Sequence, residues 1–397
     1  MIEPAVPSRR LILFAGGVFA AESGFYAVIP PLIPRLVSEA HLTTTQVGLL
    51  VAAYPAGVLL GAVPSITMVD RFGVRNTTFT GFALLIAATL SFGWGTGGIV
   101  LDAARLVQGF GGAVAWSGVL AWLTSTTSLR RRGSVIGAAV GAALIGMVVG
   151  PAMGAVAAQA GRGLVFSGLA VLLAALAVSG PSGAPASIHS RGSVRALVSL
   201  IRNRRAAVGN GVLAVVGIVG GATWSLTPLL IVRLHGTAVT IAWILAASYL
   251  LAALLNVAVG RISDRIGRLA PTLVGLVVAA VLLPTLPFFG SLAPLVITSI
   301  VAGTFVAGLW TPSAAMITDA ADPGTRGQAV GVAAMNATWA AGGAAGAPLM
   351  AWLADGAGFM LPFVLAGALC AASAAIAPIV YRRVSSGENI DALAERL

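Results

Sequence analysis

Lysine is absent from this sequence of 397 residues, and charged residues of any type make up only 9% of it. A soluble domain usually carries about 25% charged residues. Hydrophobic residues account for 58% of the chain, and the mean hydropathy is +0.98. A water-soluble protein is therefore excluded, and the long apolar stretches are expected to lie in a lipid bilayer.

Residue types that support catalysis are also scarce. The single cysteine, Cys370, excludes a disulfide within the chain. His41, His189 and His235 stand in separate loops and are not expected to form a metal site. A phosphate-binding loop ending in Gly-Lys-Ser/Thr is missing, so ATP-driven transport is not supported. We predict neither an enzyme nor a bound cofactor.

The 23 basic residues are all arginines and give the chain a formal net charge of +11. Proteins that bind nucleic acid gather such residues on one surface, whereas here they occupy short loops between apolar runs. With the N-terminus placed in the cytoplasm, all but Arg35, Arg105, Arg162 and Arg233 fall in inward segments, which is the positive-inside pattern. We expect a multi-pass protein of the cytoplasmic (inner) membrane with both termini cytoplasmic, and no nucleic-acid partner.

Twelve apolar runs are long enough to cross a membrane as helices, since a span needs about 20 apolar residues. They lie at roughly residues 11–35, 45–68, 76–96, 99–125, 134–158, 163–181, 207–232, 239–260, 269–289, 293–317, 328–353 and 358–381. The first run is not a secretory signal, because it exceeds an h-region of about 7–15 residues and contains Glu22. The predicted fold class is an all-α membrane protein with twelve transmembrane helices.

Two landmarks recur 194 residues apart: Asp70-Arg71 returns as Asp264-Arg265, and Arg132-Gly133 returns as Arg326-Gly327. Unrelated landmarks at one spacing indicate a tandem duplication. In membrane proteins, duplicated halves are typical of transporters that bind substrate between the halves. We therefore predict two pseudo-symmetric six-helix bundles, residues 1–180 and 207–383, with a cytoplasmic linker at 181–206 and a cytoplasmic tail at 384–397.

The end of the linker has an amphipathic pattern. Leu197, Val198 and Ile201 alternate with arginines such as Arg195 and Arg202. This pattern predicts a short interfacial helix on the anionic inner leaflet. A solvated linker is the alternative.

The charged loop after the second span of each half carries a motif. In the second half its fixed positions are Gly260, Asp264, Arg265, Gly267 and Arg268, and in the first half they are Asp70, Arg71, Gly73 and Arg75, with Ile66 at the first glycine position. Such an aspartate can bond a helix N-terminus and nearby arginines in one conformation only. The pattern resembles the Gly-x-x-x-Asp-Arg-x-Gly-Arg loop of the major facilitator superfamily, which implies a conformational switch. An ordinary topogenic loop would explain one copy but not two in register.

The fourth span places Arg105, Gln108, Gly112 and Trp116 on one helix face. An arginine inside a span costs at least about 2.5–3.5 kcal/mol, so it is expected to face a partner or a wet cavity. The stretch resembles the superfamily's Arg-x-x-Gln-Gly-x-Gly motif, whose arginine is associated with proton coupling. The alternative is a structural pair between Arg105 and Asp102.

The fifth span carries Gly137, Gly146, Gly150, Pro151 and Gly154. Glycines at four-residue spacing allow close helix contact, and the proline bends the helix. The spacing resembles the motif of proton antiporters in the drug- and sugar-efflux branch of the superfamily, although Ala155 replaces its last glycine. The resemblance implies export, and close packing without directional meaning is the alternative.

Glu22 is the only one of the twelve acidic residues near the middle of a span. Intramembrane acids usually serve function, and a carboxyl group in such a site can bind and release a proton. Proton coupling by Glu22, with Arg105, is the hypothesis. A protonated glutamate bonded between helices is the alternative.

Aromatic and amide residues in the spans are candidates for a substrate cavity, although each alone is consistent with packing. The predicted substrate-binding residues are Tyr26, Tyr54, Gln108, Trp116, Trp224, Trp243, Tyr249, Asn256, Trp310, Asn336 and Trp339. An apolar, aromatic cavity suits a small lipophilic or weakly polar molecule.

Together these patterns predict a monomeric secondary transporter that works by alternating access, exchanging protons for its substrate. The resemblance to the major facilitator superfamily extends from about Leu11 to Tyr381. An uptake symporter or facilitator for a metabolite such as a sugar or organic anion is the alternative. A non-transporting receptor would need a soluble output domain, and the longest polar stretch is the linker.

Overall fold

The computed structural model describes the backbone of residues 9–127, 129–180, 193–321 and 325–394. Within these ranges the chain is helical and contains no strand. Residues 181–192 of the linker lie outside the described residues. The side chain of Asp264, the surroundings of Gly137 and the side chains from residue 384 onward also lie outside the description.

The described residues of the first half form six α-helices. These are α1 (Arg9–Ala27), α2 (Ile33–Ala40), α3 (Thr44–Trp94), α4 (Gly98–Thr126), α5 (Leu129–Ala160) and α6 (Arg162–Val178), with a short 3-10 turn at Pro30–Leu32. A capping box begins α3: the Thr43 hydroxyl accepts a bond from the Gln46 amide, and the Gln46 side chain accepts one from the Thr43 amide. Two of the predicted spans lie in α3, which changes direction at Gly73, where φ is 77°.

The linker and the second half supply eight more helices. These are α7 (Ser193–Arg202), α8 (Ala207–Arg233), α9 (Ala238–Ile266), α10 (Leu269–Leu282), α11 (Leu292–Gly308), α12 (Trp310–Asp319), α13 (Thr325–Ala357) and α14 (Met360–Ala394). After α10 the chain tightens into a 3-10 segment, Leu283–Phe288, which contains Pro287. The helix α14 continues into the region predicted as a tail and ends at Ala394.

The prediction that the chain contains membrane-spanning helices is confirmed. Among the described residues, nine helical stretches are long and apolar enough to cross a bilayer, one of them being the long α3. A further apolar helix, Arg162–Val178, has only 17 residues. Each predicted span overlaps a helix in the described residues. The count of twelve spans remains a prediction.

The same local geometry occurs twice at the predicted spacing of 194 residues. His41 and His235 both adopt positive φ angles, of 50° and 61°, and both precede a threonine capping box. Positive φ is uncommon outside glycine. Gly73 and Gly267 form a second pair with left-handed φ. The repeated turns support two similar halves, and the proposed boundaries of the halves stay a prediction.

Packing pairs the helices within and between the halves. The helix α1 packs on α5 and α8 packs on α13, while α3 meets α13 and α5 meets α9 across the boundary. We call the end of the bundle that carries α7 the linker end, and the opposite end, with the His41 and His235 turns, the far end.

At the far end the two halves are in contact. Buried residues of the first half, including Val47 and Leu50, form one apolar cluster with Trp224 and Ala347 of the second half. The Thr45 amide and hydroxyl both donate to the Asp355 carboxylate, at 2.8 and 2.6 Å. These contacts close the far end of the space between the halves.

The helix α7 lies at the end of the linker, and its apolar residues have two kinds of surroundings. The interfacial position of this helix stays a prediction. Leu197 and Leu200 are buried against second-half residues such as Leu213 and Ile317, so this face packs on protein rather than lipid. Val198 and Ile201 are exposed, and they remain available to a membrane surface.

A central cavity as the candidate substrate site

A cavity of about 1150 Å³ lies between the two halves. It extends from an aromatic layer near the middle of the helices to the linker end, where Leu200 and Asn203 line it. Most of its wall is apolar. Nine of the eleven predicted substrate-binding residues lie on this wall: Tyr26, Tyr54, Trp116, Trp224, Tyr249, Asn256, Trp310, Asn336 and Trp339.

The aromatic layer is centred on Tyr26. Its ring stacks on Trp224 of the other half, with a centroid distance of 4.2 Å, and lies 4.9 Å from the Tyr54 ring. Trp339 meets Tyr26 edge-on at 5.3 Å, and Tyr249 meets Trp224 edge-on at 6.3 Å. These contacts join both halves and separate the cavity from the closed far end.

The structure corrects the placement of two predicted residues. Trp243 is 70% exposed on the outside of the bundle, because it lies about 120° around α9 from the cavity-lining Tyr249. Gln108 is buried behind the wall, where its side-chain oxygen accepts a hydrogen bond from Arg105. Neither residue belongs to the cavity lining.

Glu22 lies on the cavity wall and is half-buried. It is the one charged side chain among the described residues that line the cavity. Its carboxylate makes no hydrogen bond to the described part of the chain, so the alternative of a glutamate bonded between helices is not the arrangement found here. The carboxylate is therefore free to bind a proton or a polar group of a ligand.

Arg105 is buried beside Glu22 and does not form the predicted alternative pair with Asp102. One guanidinium nitrogen donates to the Phe25 carbonyl at 3.1 Å and to Gln108. The guanidinium also lies over the Tyr54 ring, 4.8 Å from its centroid, a favourable cation–π contact. Arg105 thus ties α4 to α1 and α3, and its positive charge lies close enough to attract the Glu22 carboxylate.

The glycines of the fifth-span motif pack α5 directly on α1. A Cβ atom added at Gly146 would lie 2.0 Å from the Ala20 carbonyl oxygen, and one at Gly154 would lie 2.2 Å from that of Val28. Gly150 approaches the Gly24 carbonyl oxygen in the same way, at 2.5 Å. These contacts form a backbone seam along the helix that carries Glu22. Pro151 lies inside α5.

The two charged loops that carry the repeated motif have positive φ at their glycines, Gly73 and Gly267. Their switch role stays a prediction. In the second loop, Arg268 bonds the Ser263 hydroxyl at 3.2 Å and pairs with Asp319 at 3.5 Å. In the first loop, the Arg75 guanidinium lies 5.3 Å from the Phe79 ring. Arg71, Gly260 and Arg265 lie on exposed or partly exposed surface.

Two polar residues of the cavity wall, Thr227 and Ser299, were not predicted from the sequence. The Thr227 and Ser299 hydroxyls line the cavity and are buried with no hydrogen-bond partner among the described residues. The Trp116 ring nitrogen and the Asn256 side-chain oxygen, on two residues that were predicted, are in the same condition. Hydroxyl residues are common in transmembrane helices, where they bond their own backbone. The sequence therefore held no signal that separated Thr227 and Ser299 from the rest.

The sequence analysis also did not indicate that Asp355 contacts the other half at the far end. Burial opposes its charge, but hydrogen bonds from Thr45 and Thr44 outweigh that effect and hold the pKa of this carboxyl below its ordinary value. The contact is therefore present above the ordinary pKa of an aspartate and is lost as the pH falls through the lowered value.

The comparisons with known proteins agree with this architecture. A family model described as Major Facilitator Superfamily matches residues 14–232 and 210–395. Multidrug resistance proteins 2 and 1 of Bacillus subtilis (strain 168) are 28% and 27% identical over 170 and 188 residues. The alignments cover 42% and 46% of this chain and 42% and 48% of those proteins, less than half the length of either.

A third relative is the uncharacterized MFS-type transporter YcaD of Escherichia coli (strain SE11), 24% identical over 66% of this chain and 68% of its own. A solved structure with the same fold is that of a bacterial homolog to the human lysosomal transporter Spinster, described as inward-facing and unoccupied. Its TM-score is 0.79 at 15% identity, covering 95% of this chain and 98% of the other. Since the family model matches nearly the whole length, this chain belongs to the Major Facilitator Superfamily and is a multi-pass membrane protein.

Proposed function

We propose that this chain is a proton-coupled exporter, an antiporter for a small lipophilic or weakly polar molecule. The observation that carries the proposal is a lone carboxylate, Glu22, on the wall of an otherwise apolar and aromatic cavity between two halves. In a membrane transporter such a group is positioned to exchange a proton for a substrate. The multidrug resistance relatives and the fifth-span motif favour export over uptake.

The proposed cycle uses the cavity and the contacts between the two halves. In this conformation substrate enters from the linker end, which the arginine distribution places in the cytoplasm. Protonation of Glu22 in the alternate state would displace the substrate, and deprotonation would restore its site. The halves then rock about the cavity while the contacts at one end open and those at the other form. We propose that the protein does this as a monomer in the cytoplasmic membrane.

The chemistry of the cavity wall supports the proposed substrate class. Tyr26, Tyr54, Trp224 and Trp339 offer flat aromatic surfaces that accept lipophilic rings. The unpartnered oxygen of Asn256 and the hydroxyls of the wall can bond one or two polar groups of a ligand. A cavity of about 1150 Å³ accommodates a drug-sized molecule with room for water.

Transport in proteoliposomes tests the proposal. Ethidium serves as the first probe, together with any compound that raises the unfolding temperature of the purified protein. With an acidic lumen, an antiporter accumulates the probe inside the vesicles. We expect Glu22→Gln to abolish this proton-driven accumulation while probe binding remains, and the matched variant Glu39→Gln, at the exposed far end, to transport normally.

Two outcomes would contradict the proposal. Full coupling in Glu22→Gln would remove the proton role of Glu22. Accumulation driven only by an acidic exterior would favour the uptake symporter, because a symporter moves substrate and proton in the same direction.

A further inference from the structure

Gly112 on α4 is the residue against which the Glu22 carboxyl group rests. A Cβ atom added at Gly112 would lie 2.9 Å from a Glu22 carboxylate oxygen and 3.2 Å from its Cγ. Those separations are below ordinary contact distance, so the Glu22 side chain occupies the space that any other residue would fill. The absence of a side chain at Gly112 is what makes this position of the carboxylate possible.

The Tyr54 hydroxyl also lies close to Gly112. It lies 3.4 Å from the added Cβ position at Gly112, so hydroxyl and carboxylate converge on one point of the α4 backbone. The Tyr54 ring is itself held from behind by the Arg105 guanidinium, 4.8 Å from the ring centroid. Arg105 in turn is fixed by the Phe25 carbonyl of α1. The orientation of Tyr54 is thus set by Arg105, which lies outside the cavity, and by the Tyr26 ring, whose centroid is 4.9 Å from that of Tyr54.

From this geometry we infer that Gly112 and Tyr54 are positioning residues that set where the Glu22 carboxyl group stands in the cavity. The inference rests on the proposed proton role of Glu22. The charged and titratable groups that face Glu22 are Arg105 of α4, Tyr54 of α3 and Tyr26 of α1. The seam with α5 presents glycine backbone such as Gly146.

Gly112→Ala is a selective test because the added methyl group meets the ends of two side chains and no neighbouring backbone within 3.4 Å. We expect the variant to fold, with the Glu22 carboxylate displaced. The matched control is Gly168→Ala on α6, where an added Cβ meets nothing within 4 Å. Tyr54→Phe removes only the hydroxyl and keeps the ring beneath Arg105.

The readout is the protonation of Glu22 itself, followed in detergent by the infrared carbonyl band of the neutral carboxyl group. The band is assigned by its loss in Glu22→Gln, and its midpoint is measured against pH without any substrate. We expect the midpoint to change by on the order of half a pH unit in Gly112→Ala and in Tyr54→Phe. The Gly168→Ala midpoint should match the unmodified protein.

A double-mutant cycle separates positioning from general loss of structure. Glu22→Asp withdraws the carboxylate by one methylene group from the space beside Gly112. If the two residues act through contact, the effects of Glu22→Asp and Gly112→Ala on proton-driven ethidium transport are non-additive. We expect Gly112→Ala to reduce transport by about tenfold in the unmodified background and by much less beside Asp.

Different experimental results would contradict the positioning inference and the proposed function. An unchanged midpoint in Gly112→Ala, with additive effects in the cycle, overturns the positioning inference while leaving the role of Glu22 intact. An unchanged midpoint in Tyr54→Phe alone overturns the part that concerns Tyr54. Normal proton coupling in Glu22→Gln overturns the proposed function first.

Discussion

At the scale of single residues, several polar atoms of the cavity wall make no hydrogen bond to the described part of the protein. The Asn256 side-chain oxygen is buried with no hydrogen-bond partner in the described part of the chain, and a buried polar atom in that state costs about 1–3 kcal/mol. A site that leaves such groups unpaired gives up stability in the ligand-free form. The unpaired groups are then ready to bond a weakly polar ligand.

Replacing Asn256 should therefore separate stability from binding. We expect Asn256→Leu to raise the unfolding temperature of the detergent-solubilised protein by a few degrees, since about 1–3 kcal/mol of desolvation is relieved. Binding of polar ligands should weaken by about tenfold, while binding of purely lipophilic ones is retained. Thermal unfolding with and without ligand measures both effects. A lower unfolding temperature together with unchanged binding would show that Asn256 has a packing role.

At this scale, the sequence indicates which residues could serve the site, but it does not indicate which way their side chains face. Glu22 was identified because an acid in a span is rare, and the structure places it on the cavity wall. Trp243 and Tyr249 look alike in sequence, yet one faces outward and one faces the cavity. The rotation of a helix about its axis depends on its neighbours, which no single sequence displays.

At the scale of helices, the α1–α5 seam is the element that supports the site. Glycines on α5 bring its backbone against the carbonyl groups of α1. In a bilayer such contacts stabilise a helix pair by packing rather than by hydrophobic burial. The motif that suggested export in the sequence therefore has a direct structural task, which is to hold the Glu22 helix in place.

Glycine-to-alanine changes at the α1–α5 seam and away from it should change the free energy of unfolding in opposite directions. We expect Gly146→Ala and Gly154→Ala to destabilise the protein by about 1–3 kcal/mol, because the methyl group meets backbone. Gly211→Ala on α8, which meets nothing within 4 Å, should stabilise by up to about 1 kcal/mol through helix propensity. Thermal unfolding gives the sign of each change. Equal effects on and off the seam would mean that the close contact does not carry stability.

At the scale of the whole molecule, the far-end contacts between α3 and α13 fix the conformation observed here. A Cβ atom at Gly48 would lie 2.5 Å from the Ala351 Cβ and 2.6 Å from the Ala347 carbonyl oxygen. The Thr45–Asp355 bonds lie at the same end. For the far end to open, all of these contacts must separate.

We therefore expect Gly48→Leu to favour a state open at the far end, because the larger side chain cannot fit between α3 and α13. Spin labels at Leu49 and Trp352, both exposed, report the separation of the two helices in a Cys370→Ser background. Gly48→Leu should add a population at longer distance, and Gly168→Leu should not. An unchanged distance distribution would mean that this contact does not control closure.

The Asp355 contact adds a check on pH. Because hydrogen bonds lower the pKa of Asp355, the contact is intact at all pH values above the ordinary aspartate range. The label distance should stay constant as the pH is changed around neutrality and increase only in acid. A change near neutral pH would have to come from another group.

The sequence alone determined the membrane class, the helical fold, the duplicated halves and the family, because hydropathy, glycine spacing and loop motifs are local and survive in a linear string. It also singled out Glu22 and Arg105, whose charge is costly wherever a span is placed. Only the tertiary structure decided that Gln108 lies behind the wall and Tyr26 stacks on Trp224, and that Gly112 makes room for Glu22. These facts depend on contacts between residues far apart in the chain, which exist only once the helices are packed together.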